Sequence, residues 1–194
     1  AGATGATGRT IRPLTAEANV DVLSHVRSAT ADRLGDECPS PAAVLSLTDS
    51  DALSTALNQR TTILQLIGTM RKRFKSGDTY ESSDVGTTRS LVQATQASSS
   101  MDHIVLLSSV GAGKPTGAYL QAKAEAERLV TESGVPWTIV RPSAFIGEGH
   151  GLPFGLLEIM RPLVPVRYKP IDISDLAATL LYVAIERSAI GEIL

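Results

Sequence analysis

The chain opens Ala1-Gly2-Ala3-Thr4-Gly5-Ala6-Thr7-Gly8-Arg9, and this stretch decides how the rest is read. Glycines recur at steps of three, and each position has its own physical use. One makes the tight turn out of a strand, another lets backbone N–H groups approach a pyrophosphate, and the last allows the following helix to pack close against a sheet. Thr4 and Thr7 add hydroxyl donors. A glycine triplet alone is a weak signal, and the context that gives it weight is a helix followed by a strand. Both are predicted here, a helix over residues 8–18 and a β-branched strand over 20–26 ending at Arg27. Such a turn normally leaves a buried strand, to which only Ala1 could belong. A first strand is therefore expected before Gly2, and a sheet lacking it would be badly weakened.

Beyond the turn, apolar runs and breakers alternate. Strands are predicted over 43–47, 61–67, 103–107 and 137–140, with a last one beginning in 191–194. Helices are predicted over 50–57, 81–97, 118–133 and 154–160, and a final one capped by Asp172 or Ser174 runs to residue 185. Residues 28–41, 70–79, 111–117 and 147–153 read as loops. Short strands that are apolar on both sides and separated by helices signal a parallel sheet covered on both faces. The fold class is α/β, a doubly wound Rossmann-type parallel sheet in a single domain over 1–194, with a small C-terminal substrate-side region. Crossovers are expected to be right-handed.

The 194 residues suit one such domain, and 43 % hydrophobic with 20 % charged is the balance of a soluble globular protein. A formal charge of −2 is too near neutral for a polyanion-binding surface. No aromatics interleave with basic residues, so nucleic acid is not an expected partner. No apolar run approaches the roughly 20 residues of a membrane helix. Cys38 is the single cysteine, which rules out an intrachain disulfide and fits a reducing, cytoplasmic setting. No His/Cys/Asp cluster has metal-ligand spacing.

The end of the second strand decides the ribose. An acid there accepts the 2′-hydroxyl of NAD, whereas arginine suits the 2′-phosphate of NADP. This chain has Arg27 followed by Ser28, with Arg9 just past the glycine turn, and Asp21 lies at the wrong end of the strand. NADP is favoured, with NAD possible. Tyr119 and Lys123 are four apart on a predicted helix and share a face. An ammonium beside a phenol favours the phenolate, so such a tyrosine can give or take a proton while hydride moves. Ser109, where the preceding strand ends, is placed to hydrogen-bond the same oxygen, and Ser108 is its rival. Arg71, Lys72, Arg73 and Lys75 read first as a solvated loop, His25 and His103 as structural, and His150 as a lone loop histidine.

Taken together, these motifs resemble the short-chain dehydrogenase/reductase superfamily, most closely its atypical NAD(P)H-binding branch of NmrA-like and TIP30-like proteins. The pieces that carry the resemblance are Gly2 to Arg9, Leu47-Thr48-Asp49, Ile67-Gly68-Thr69, Leu106 to Ala112, Tyr119 with Lys123, Arg141-Pro142-Ser143 and Ile173 to Ala177. The resemblance implies that Gly2, Thr4, Gly5, Thr7 and Gly8 touch the pyrophosphate side and that Arg9 and Arg27 meet the 2′-phosphate. It puts Thr48 and Asp49 near the adenine, Ile67 and Gly68 along the cofactor ribose, and Pro142 beside the nicotinamide. Tyr119 would be the proton donor and Lys123 would hold the nicotinamide ribose, while Asp175 would be structural. Residues 145–160 and the loop 70–79 would have to form the substrate pocket.

Three functions remain open at this point. One is an NADP(H)-dependent oxidoreductase acting on a small carbonyl or alcohol. Another is a non-catalytic NADP(H)-sensing regulator that binds a protein partner. A nucleotide-sugar epimerase or dehydratase uses the same residues but is disfavoured by the short C-terminal region. Monomer and homodimer are both open.

Overall fold

The computed structural model describes residues 1–69, 77–143, 169–194 and the backbone of 145–146. Its strands are β1 (Ser24–Val26), β2 (Ala42–Val44), β3 (Thr62–Gln65), β4 (His103–Leu107), β5 (Trp137–Val140), β6 (Phe145–Ile146), β7 (Ile171–Asp172) and β8 (Glu192–Ile193). The helices are α1 (Ala6–Glu17), α2 (Ser28–Leu34), α3 (Ser50–Leu57), α4 (Thr87–Ala97), α5 (Gly117–Thr131) and α6 (Ile173–Glu186). A π-helical turn, Glu81–Gly86, leads into α4. The order β3-β4-β5-β8 forms a four-stranded sheet, β1 pairs with β2, and β6 pairs with β7, all in parallel.

Why the chain winds on both faces is visible in β4, every residue of which is buried. Successive side chains of a strand point to opposite faces. Val105 and Leu107 pack with Ile11 of α1 and with Leu176, Leu180 and Val183 of α6. Ile104 and Leu106 turn the other way, onto Val92 of α4 and Ala126 and Val130 of α5. A third cluster, Leu47, Leu53, Leu57, Ile63, Leu91 and Met101, holds α3 against β3 and α4. The expected α/β architecture is thus the one observed, with helices on both faces of a parallel sheet.

Several boundaries differ from the sequence reading. Helix α1 starts at Ala6 rather than Gly8, because Gly5 is extended (φ −74°, ψ 171°) and the helix follows at once. The predicted strand over 20–26 is reduced to Ser24–Val26, and that over 61–67 to Thr62–Gln65. Between the β1 and β3 edges lies an apolar slot of about 500 Å³, lined by Ala1, Ile11, Leu45, Leu64 and Leu181 among others. In its wall, the Leu66 amide donates to the Ala1 carbonyl at 3.0 Å. The stretch 28–41 is not a plain loop. Residues 28–34 contain neither glycine nor proline and form α2, which stops at Gly35 with φ +51°. The pairing of β6 with β7 has no counterpart in the sequence reading. The predicted helix 154–160 and loop 147–153 lie outside the described residues. No helix among the described residues is long and apolar enough to cross a membrane.

Both histidines predicted as structural have partners. His103 is buried with Nε2 3.0 Å from Thr138 Oγ1, and burial pushes its pKa down. His25 Nε2 lies 3.1 Å from the Leu45 carbonyl, and burial is the main cause lowering its pKa to about 4.

Candidate functional site

The glycine turn is packed as the spacing predicts. Gly2 has φ +91°, a conformation that L side chains rarely adopt. At Gly8 a Cβ would lie 2.7 Å from Ala3 Cα and 2.8 Å from Ala3 C, both immovable backbone. This is the close approach of helix to turn that only glycine permits. The Gly5 amide donates to the Gly2 carbonyl at 3.0 Å, which closes the turn. No side chain caps the start of α1, and its first turn holds no acid. Backbone N–H groups and the positive end of the helix dipole are therefore left for an anion. A Gly8→Ala variant is expected to lose about 1–3 kcal/mol of stability through overpacking, with weaker dinucleotide binding. Thermal denaturation and an NADPH titration check both, and parental values would mean that the turn does not pack in this way.

The arginines take separate partners. Arg9 folds back so that Nη1 donates to the Thr4 carbonyl at 2.8 Å, bracing the turn from outside. Arg27 stands at the C-terminal end of β1 and donates to Asp78 Oδ1 at 3.0 Å. Thr48 shares a hydrogen bond of 2.7 Å with Ser46, and Asp49 caps α3 by accepting from the Ala52 amide at 3.0 Å. Both side chains thus have local structural duties at the end of the β2 segment.

Lys123 is the centre of the second half of the site. Helix α5 carries Tyr119, Lys123 and Glu127 at intervals of four, so the three share one face. Beyond Tyr119 that face is not solvated: Lys123 and Glu127 are both buried, each next to a small residue, Ala122 and Ala126. The Lys123 ammonium lies 2.9 Å from Asp84 Oδ1 and donates to the Leu107 carbonyl at 3.2 Å. Asp84 comes from the π-helical turn, is fully buried, and accepts from the Thr69 amide through Oδ2 at 3.1 Å. Gly68 fits above this pair, where a Cβ would be 3.2 Å from both Asp84 Oδ1 and Lys123 Nζ. The carboxyl ends of the β3 and β4 segments therefore converge on one buried ion pair. Tyr119 is 38 % exposed, its ring 6.0 Å from Lys123 Nζ and 5.6 Å from the tilted ring of Tyr80. An accessible phenol beside a fixed ammonium is an arrangement suited to proton transfer.

The two serines separate cleanly. Ser108 is buried and donates its hydroxyl to Glu127 Oε1. Arg141 grips the same carboxylate with two bonds, Nε to Oε1 at 2.8 Å and Nη2 to Oε2 at 2.5 Å, which raises the arginine pKa further. Ser109 is half-buried and among the described residues donates only a 3.3 Å bond to the neighbouring Val110 carbonyl, and so is the more available hydroxyl. Pro142 is buried and its carbonyl accepts from the Val110 amide at 2.9 Å, tying the loop after β5 to the loop after β4. Asp175 lies exposed in the first turn of α6. The basic residues 71–75 and His150 lie outside the described residues, as does most of the expected substrate pocket. Among the described residues no acidic, histidine or cysteine cluster could hold a metal ion.

Asp84, Asp78 and the Glu127–Arg141 pair escaped the sequence reading. A signal existed for Glu127, since it repeats the four-residue spacing of Tyr119 and Lys123. Asp84 and Asp78 reach their partners from distant segments, and no spacing announces them.

The NAD(P)H-binding family profile matches residues 2–186. This chain belongs to the NAD(P)H-binding family. No curated protein matches it. Among solved structures, gox2253 is 23 % identical with a TM-score of 0.72, over 99 % of this chain and 67 % of that one, about two thirds of its length. The anaerobillin reductase ChuY from Escherichia coli O157:H7 is 15 % identical, TM-score 0.64, over 92 % of this chain and 84 % of its own. UDP-glucose 4-epimerase from Thermus thermophilus, solved in complex with NAD, is 16 % identical, TM-score 0.68, over 94 % of this chain and 72 % of its own. At these identities the likeness is one of fold. Nicotinamide dinucleotide binding follows from the family itself, and the residues fit it: an uncapped helix start behind a turn that admits no Cβ at Gly8, and a strand end at Gly68 that leaves room beside Lys123.

Proposed function

We propose that this protein is an NADP(H)-dependent oxidoreductase of the atypical short-chain type, moving hydride to or from a small carbonyl or alcohol. The dinucleotide supplies or accepts the hydride. In this reading the start of α1 and the turn from Gly2 to Gly8 hold the pyrophosphate, with Thr4 and Thr7 beside it. Arg9 and Arg27 receive the 2′-phosphate, Thr48 and Asp49 border the adenine, Ile67 and Gly68 line the cofactor ribose, and Pro142 packs beside the nicotinamide. Lys123, already fixed by Asp84 and the Leu107 carbonyl, keeps one N–H for a ribose hydroxyl. Tyr119 gives its phenolic proton to the substrate oxygen, and Ser109 orients that oxygen. The observation that carries the reading is the convergence of Tyr119, Lys123 and Gly68 where β3 and β4 end, the place where ligands sit in open parallel sheets. The NmrA-like branch and a cytoplasmic setting accompany it.

A non-catalytic NADP(H) sensor draws support from one observation: Lys123 is bound to Asp84 and stands 6.0 Å from the Tyr119 ring centroid. Two measurements separate the readings. Calorimetric titration with NADPH and NADH is expected to give binding of both with NADPH tighter. Incubation with NADPH and a panel of small aldehydes, ketones and quinones is expected to consume NADPH. Binding without any consumption would favour the sensor, and tighter binding of NADH would overturn the roles given to Arg9 and Arg27.

A further inference from the structure

The pairing of Arg27 with Asp78 brings together residues 51 positions apart. Arg27 is 59 % exposed and Asp78 only 19 %, so the carboxylate is seated while the guanidinium faces outward. A guanidinium has five N–H donors in a fixed fork, and one of them, on Nη1, goes to Asp78 Oδ1 at 3.0 Å. At the carboxyl end of the second strand of such folds, an acid receives the ribose 2′-hydroxyl of NAD, or an arginine accommodates the 2′-phosphate of NADP. This chain puts one of each at that place. The arginine belongs to the strand end, and the acid arrives from the segment before the π-helical turn. The strand end by itself carries the arginine and no acid.

We propose that Asp78 is the specificity-determining counterpart of Arg27. Its carboxylate accepts from a 2′-hydroxyl and opposes a 2′-phosphate, so the pair as a unit admits both dinucleotides and holds the preference for NADPH to less than about tenfold. The inference rests on the role given to Arg27 in the proposed function. A phosphate brought to Arg27 meets a second anion already sharing the guanidinium, and the two repel. A hydroxyl meets no such opposition and gains a charged acceptor. An exposed ion pair of this kind shifts an equilibrium by about fivefold at most, so a phosphate can outcompete it, at a cost in affinity.

The test is calorimetric titration of the intact protein and its Asp78→Asn and Arg27→Gln variants with NADPH and NADH. Adenosine 2′,5′-bisphosphate and adenosine 5′-monophosphate are titrated alongside to localise any change to the ribose. Both substitutions lie at an accessible pair, and unchanged thermal denaturation checks that each variant is folded. Asp78→Asn is expected to raise the NADPH-to-NADH affinity ratio about two- to fivefold, reproduced by the bisphosphate against the monophosphate. Arg27→Gln is expected to lower that ratio. If Arg27→Gln lowers the ratio and Asp78→Asn leaves or lowers it, the role of Asp78 is overturned while that of Arg27 stands. If Arg27→Gln leaves the ratio unchanged, the reading of Arg27 fails and the inference fails with it.

Discussion

Tyr119→Phe is expected to reduce turnover by about 10²–10⁴-fold, the usual contribution of a positioned general acid, while NADPH affinity stays within about twofold of the parent. The asymmetry follows from where the hydroxyl stands. The ring is held by its contact with Tyr80 and by its place on α5, and phenylalanine keeps both. Only the transferable proton is removed. Steady-state rates with the best substrate of the panel, beside a cofactor titration, measure the two quantities separately. Undiminished turnover would show that the proton comes from elsewhere. A parallel loss of cofactor affinity would show that the hydroxyl serves the dinucleotide instead.

The second large effect concerns stability. Lys123→Met strands the Asp84 carboxylate, whose side chain has no exposure, and breaking a buried pair by removing one partner typically costs about 3–5 kcal/mol. Removing both charges is a different matter, because apolar or neutral replacements of similar volume are often tolerated. The double variant Asp84→Asn, Lys123→Met is therefore expected to recover most of the loss in urea denaturation, although it also loses cofactor affinity. A single variant as stable as the parent would mean that Asp84 is satisfied by the Thr69 amide alone. A double variant no better than the single would mean that the cost arises from packing around Gly68.

The fold was legible because its signals are local. Four of the predicted strands and most of the helices rest on apolar runs of the right length, and β4, with its five buried residues, coincides with its predicted span. The glycine spacing announces the turn and a helix after it, although α1 begins at Ala6, two residues before the expected Gly8. Residues 28–34 read as loop because Gly35, Asp36, Pro39 and Pro41, which follow them, have loop composition, while the seven residues themselves contain neither glycine nor proline. In the site, Tyr119 and Lys123 were legible through helical spacing and their place after a strand. The burial of the α5 face was not, since a lysine and a glutamate read as solvated unless their partners are known. Those partners, Asp84 and Arg141, come from other segments, and a single sequence carries no sign of who meets whom across a sheet. Ser108 and Ser109 differ by one position and only the fold could separate them, because adjacent residues at a strand end face opposite ways.

The Arg27–Asp78 and Asp84–Lys123 pairs also differ in their exposure to dissolved salt. Screening at physiological ionic strength acts over about 8 Å, and it reaches Arg27 freely while leaving the sealed Asp84–Lys123 pair almost untouched. Under the proposed roles of Arg27 and Lys123, ionic strength would therefore act on the adenosine end of the dinucleotide and spare the other. On that reading the preference between the two dinucleotides would soften as salt is added, while the geometry at Lys123 would stay as the fold sets it.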